Sequence, residues 1–172
     1  MMDTLHSEFH TKLVISVWRK IYSNTNNFKE LNEHGFMYQN PFKDSVVDFL
    51  KNHYSYYDAF NPNARKMYWN QIDKNLFSKG IDGWWLDASK PELPDYGPTP
   101  ELMARYMNPT YNGPGISNLN DCPRMHTKGV YEGQRKADPD KRVFLLTRFA
   151  FAGEKKKLLS SGRETYQENG AY

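Results

Sequence analysis

The stretch GIDGWWLDASKPE, Gly80 to Glu92, runs apolar and aromatic and then stops on an aspartate followed by small polar residues and a proline. A short apolar run bounded by glycine and proline reads as a buried strand. This one delivers a carboxylate, Asp87, at its C-terminal end, beside Trp84 and Trp85.

The neighbouring text extends the pattern in both directions. Upstream, NPNARKMYWNQIDKNLFSKG (Asn61–Gly80) reads as a helix, with Asn61 able to cap, Pro62 in the first turn and Gly80 at the end. Ala64, Met67, Tyr68, Ile72, Leu76 and Phe77 recur at spacings of three and four, which gives one buried face. KLVISVW (Lys12–Trp18) and KRVFLLTR (Lys141–Arg148) are two further strand signals, and a helix is expected around Met125–Lys136. SNTNNFKELNEHG is turn-rich and then briefly helical up to Gly35, and YSYYDAFNP is extended up to Asp58. ASKPELPDYGPTP reads as a loop, and NPTYNGPGISNLND as irregular. Strand and helix thus alternate with nearly all-apolar strands, the pattern of a parallel sheet covered by helices.

Composition narrows the function classes. The 172 residues fit one domain, and a net charge of +3 with dispersed Lys and Arg, apart from EKKK at Glu154–Lys157, gives no basic stripe for nucleic acid. No nucleic-acid partner is expected. Aromatic residues reach 15%, which suits a cleft with stacking faces or a tyrosine-rich core equally. Cys122 is the single cysteine, so there is no internal disulfide, and it is read as an inert or loop thiol. No run approaches the ~20 apolar residues of a membrane span. MMDTLHSEFHTKL lacks the apolar centre of a signal peptide, and the compartment stays open.

Trp18, Asp87 and Arg148 each end a predicted strand. In parallel α/β folds binding and catalysis collect at that edge, and a stacking wall, a carboxylate and a guanidinium suit a small polar ligand such as a sugar. The plainer readings stand beside this one: Asp87 as a cap, Arg148 as an ion-pair partner, Trp18 as a core residue.

Four words, LVISVW, YDAFNPNARKMYWNQIDKNLFSKGIDGWWLDAS, GVYEGQRKADPDKRVFLLTR and AFAG, together resemble, in order, the catalytic barrel of glycoside hydrolase family 31, especially its α-xylosidase-like members. The resemblance implies a partial (β/α)8 TIM barrel of about three to four units over residues 1–153. It places Asp87 on the catalytic nucleophile after the fourth barrel strand. Trp85 falls on an active-site wall position, Trp18 on a sugar-contacting tryptophan and Arg148 on the arginine that hydrogen-bonds substrate hydroxyls. It implies a retaining α-glycosidase acting on an α-linked oligosaccharide or xyloside, with neither metal nor organic cofactor.

Departures from the family pattern carry their own expectations. Lys90 stands where the family has a glutamate, and Phe149 where a serine follows the arginine. After AFAG the family continues to a strand ending in WSGD, whose aspartate is the general acid/base; here residues 154–172 read EKKKLLSSGRETYQENGAY. Read one base earlier with free choice of synonymous codons, LLSSGRETYQENG can become AAVVWSGDIPREW. Residues 154–172 are therefore expected to be a frameshifted tail. The chain is expected to be a fragment that holds the nucleophile, lacks the acid/base and does not turn over substrate by itself. A non-catalytic carbohydrate-binding or decoy remnant is the rival reading. A metal site at HSEFH, His6 with His10, is a third, and surface histidines are the better reading there.

Overall fold

The computed structural model describes residues 2–87, 89, 93–95, 97–147 and the backbone of 165–168. The chain opens with α1 (Met2–Ser7) and then β1 (Val14–Trp18) and β2 (Lys20–Tyr22). Next come α2 (Asn26–Glu33), α3 (Asn40–Lys43), β3 (Tyr54–Tyr56) and α4 (Pro62–Asn75). The second half carries β4 (Gly83–Asp87), α5 (Pro100–Tyr106), α6 (Gly115–Asn118), α7 (Cys122–Ala137), β5 (Phe144–Thr147) and β6 (Thr165–Glu168).

β1, β4, β5 and β6 form one sheet in that order, and every neighbouring pair is parallel. α4 joins β1 to β4, and α7 lies between β4 and β5, so the repeat is a strand followed by a helix that returns the chain to the same end. This is the partial barrel the resemblance implied. The extended YSY segment, in contrast, pairs antiparallel with β2 in a separate two-stranded sheet. The whole stretch between β1 and α4 is an excursion from the barrel pattern.

α4 starts as its sequence dictates. The Asn61 side chain accepts from the N–H groups of Asn63 and Ala64, and Pro62 occupies the first turn, where a missing N–H costs nothing. A short 3₁₀ turn, Phe77–Lys79, follows, and Gly80 closes it at φ 100°, in the left-handed region that glycine enters without a Cβ penalty. Trp69 and Gln71 are also buried on this helix, outside the expected apolar set.

Strand alternation sorts the sheet into two faces. Val17, Trp84, Leu86, Leu145 and Thr147 turn toward the helices and are buried. Trp84 meets Trp69 edge-on at 5.9 Å and donates its indole N–H to Gln134 of α7 at 2.8 Å. α7 comes this close because Gly133 has no side chain: a Cβ there would lie 2.2 Å from a ring carbon of Trp69. The opposite face, carrying Val14, Ser16 and Trp18 of β1 with Gly83, Trp85 and Asp87 of β4, corresponds to the inside of a barrel. Among the described residues no helix is long and apolar enough to cross a membrane.

Candidate active site

The parallel pairing of β1 with β4 puts Trp18 opposite Asp87 and Ser16 opposite Trp85. Register partners in a parallel sheet share a face, so Trp18, Trp85 and Asp87 all project from the inner side at the C-terminal end of the strands. The two tryptophans are 39% and 42% exposed, unlike core residues, and Asp87 is half-buried. The Trp18 indole donates to Ser16 Oγ at 3.0 Å, and its carbonyl accepts from the Tyr68 hydroxyl at 2.9 Å. Ser16 thereby holds the ring, and Tyr68 holds the backbone at the strand end. Asp87 is the last residue of β4, and the next helix, α5, takes its cap from Thr99. Arg148, Phe149 and Lys90 lie outside the described residues, as do Glu154–Glu164 of the tail.

Behind the rim, Ser89 and Thr147 share a buried side-chain hydrogen bond of 2.9 Å. It ties the residue two places beyond Asp87 to the end of β5.

A second cluster beside Trp18 was not read from the sequence. Lys20 has a side chain only 3% exposed, with its ammonium 2.7 Å from Asp95 and 3.8 Å from Asp48. It also lies 4.3 Å from the ring centre of Tyr54 and 5.7 Å from those of Trp18 and Tyr22. The Tyr54 hydroxyl donates to Asp95 at 2.8 Å and accepts from the Asp95 N–H at 3.0 Å. Tyr22 donates to Asp48 at 2.6 Å. Burial, then the hydrogen bond to Asp48, pushes the Tyr22 phenol up to about 12. Burial alone would raise the Asp48 carboxyl. The bonds from Tyr22 and the N–H groups of Asn52 and Leu50, with the Lys20 charge, outweigh it and hold the carboxyl below its ordinary value. These partners come from segments up to 75 residues apart, so no local spacing announces them.

The histidines at the start separate. α1 ends at Ser7, His10 adopts φ 49°, and His6 turns back to Asp82 at 2.7 Å, at the opposite end of the sheet from Asp87. His6 and His10 therefore do not share a helical face. Among the described residues no three His, Cys, Asp or Glu side chains are grouped to hold a metal. Cys122 is buried in the core, in contact with Arg19.

Residues 1–160 match the model of the glycosyl hydrolases family 31 TIM-barrel domain. An α-xylosidase of Saccharolobus solfataricus is 33% identical over 91% of this chain, which corresponds to 19% of that protein. An uncharacterized family 31 glucosidase of Pseudescherichia vulneris is 29% identical over 91% of the chain and 28% of its own length. Among solved structures, the family 31 α-xylosidase of Xanthomonas citri superposes with a TM-score of 0.78 at 37% identity, over 87% of this chain and 16% of that one. A soil-metagenome family 31 α-xylosidase complexed with xylose gives 0.71 at 26%, over 90% and 22%. The chain thus spans less than a third of the length of each of these relatives. A parallel sheet of strand–helix units, matched almost end to end by the family's barrel, makes this chain a member of glycosyl hydrolase family 31.

Proposed function

We propose that the parent protein is a retaining α-glycosidase of the α-xylosidase type, with Asp87 as its nucleophile and Trp18, Trp85 and Arg148 as sugar-binding residues. The observation that carries this reading is the placement of Asp87 at the C-terminal end of β4, in register with Trp18 and on the same face as Trp85. That the similar proteins include α-xylosidases supports an α-xyloside as the substrate.

The chemistry follows from the arrangement. The ionised Asp87 attacks the anomeric carbon, the glycosidic C–O bond breaks, and the leaving oxygen takes a proton from a second carboxyl group. Water then cleaves the glycosyl ester with that second group acting as base. Retaining enzymes hold the two carboxyls ~5–5.5 Å apart, which demands rigid supports, and a strand end is one. Tryptophan faces cover the C–H surface of the ring and exclude water. Residues 1–153 supply the nucleophile side only, and residues 154–172 are the frameshifted tail, so the chain by itself does not turn over glycosides.

A 5-fluoro-α-xylosyl fluoride tests this, because fluoride departs without a proton donor. The chain should gain one sugar mass, mapped to Asp87, and Asp87→Asn should gain none. A label at another residue, or none at all, defeats the nucleophile assignment. Sugar binding without labelling would favour the carbohydrate-binding remnant. Steady hydrolysis of an aryl α-xyloside by the purified chain would overturn the inactivity.

A further inference from the structure

Lys20 is a lysine removed from water, and such a charge is stable only where opposite charges and hydrogen bonds replace hydration. Its two carboxylates are not equivalent. Asp48 is already held by N–H groups of its own turn, from Leu50 at 2.9 Å and Asn52 at 3.0 Å, and by Tyr22. Asp95 lies eight residues past Asp87, and among the described residues Lys20 and Tyr54 are the side chains that hold its carboxylate. Lys20 itself follows Trp18 by two residues and faces that ring. One ammonium therefore links the exit of β1 to the exit of β4, the two strand ends that carry Trp18 and Asp87.

We propose that Lys20 is a positioning residue for the Asp87 centre: its ammonium fastens the loop after β4 onto the β2–β3 pair and sets the Trp18 face beside the nucleophile. The proposal rests on the reading of Asp87 given above. Without the ammonium, Asp48 and Asp95 would repel each other with no cation between them, and among the described residues Tyr54 alone would hold Asp95. Trp18 would then lose the cation on its ring.

Lys20→Met keeps the stem and removes the charge; Lys20→Arg keeps the charge. Two readouts separate the possibilities: amide hydrogen exchange by peptide, and the rate of Asp87 labelling by 5-fluoro-α-xylosyl fluoride. In Lys20→Met, exchange over residues 93–98 should accelerate at least tenfold while peptides of α4 and α7 stay unchanged, and labelling should slow at least tenfold. Lys20→Arg should restore most of both. Unchanged exchange over 93–98 overturns the proposal whatever the labelling does. Faster exchange with labelling at the wild-type rate overturns the positioning role. A wild-type chain that takes up no label defeats the Asp87 reading, and the positioning role falls with it. If Lys20→Met loses protection throughout, Asp95→Asn decides by the same two readouts, because it removes the loop's charge and leaves Lys20 paired with Asp48.

Discussion

Trp18 and Asp87 are register partners: the last residue of β1 stands directly across from the last residue of β4, on the same face. The ring and the carboxylate are thus fixed by backbone pairing rather than by a loop. On the proposed reading of the site, replacing Trp18 removes a wall and leaves the proposed nucleophile, Asp87, in place. Trp18→Ala should lower the apparent affinity for the fluoride probe by about tenfold, on the scale of a lost stacking contact, with a smaller change in the maximal labelling rate. Labelling measured against probe concentration separates the two.

Gly133 sets how closely α7 approaches the sheet. Gly133→Ala would push a methyl group into the Trp69 ring, which already rests edge-on against Trp84. Overpacking of this kind costs about 1–3 kcal/mol. Urea unfolding should show an earlier midpoint with an unchanged slope. Gly35→Ala is the comparison: there a Cβ meets nothing within 4 Å, and the cost comes from its φ of 69° alone.

Acid should unfold the chain in two stages. His126 is fully buried, with Nδ1 2.7 Å from the Tyr57 hydroxyl, and burial with the nearby Arg19 charge lowers its value to about 3. The unfolded chain protonates that imidazole near 6.5, so stability falls as pH drops from about 6.5 toward 3, by up to about 1.4 kcal/mol per unit. Burial works against the Asp82 charge. The Leu13 N–H, His6 and Lys141 outweigh it and hold the carboxyl at about 2. Its contribution is complete above the unfolded carboxylate value and is lost as pH falls from about 4 to 2. His126→Gln should flatten the first stage and Asp82→Asn the second, in denaturant titrations across pH.

Arg19 is a buried guanidinium without a carboxylate partner among the described residues. It contacts Cys122 and the face of Tyr56 at 4.4 Å, while Nε and Nη2 have no hydrogen-bond partner among the described residues. Removing an unpaired charge of this kind from water costs several kcal/mol, and an apolar side chain of similar length avoids that cost. Arg19→Met should raise the thermal midpoint. It should also make His126 easier to protonate, since one cation beside it is gone.

Local signals foretold the barrel elements well. Asn61 and Pro62 mark the start of α4 and Gly80 the end of the 3₁₀ turn that follows it, and the short, mostly apolar runs of β1 and β4 announce strands of a parallel sheet covered by helices. α5 begins at the last proline of the stretch read as a loop and was not foreseen, although Thr99 before Pro100 is itself a cap followed by a first-turn proline. The β2–β3 pair was missed for a different reason. Each strand is three residues long, and the pairing joins positions more than thirty residues apart, so nothing in either segment specifies it. The Lys20–Asp95 and His6–Asp82 contacts are non-local in the same way. Trp69 had an indirect sign in Gly129 and Gly133, four apart on α7, which opens a groove on one side of that helix.

The strand that ends at Asp87 sends its adjacent indoles in opposite directions, Trp84 toward the helices and Trp85 toward the barrel interior, and the remaining two divide likewise, with Trp69 shielded and Trp18 half-bare. The intrinsic emission is therefore split between two populations of equal number. Acrylamide will collide with the exposed pair and leave the buried pair bright, so one cuvette measurement reports events at the rim separately from loosening of the wall behind it.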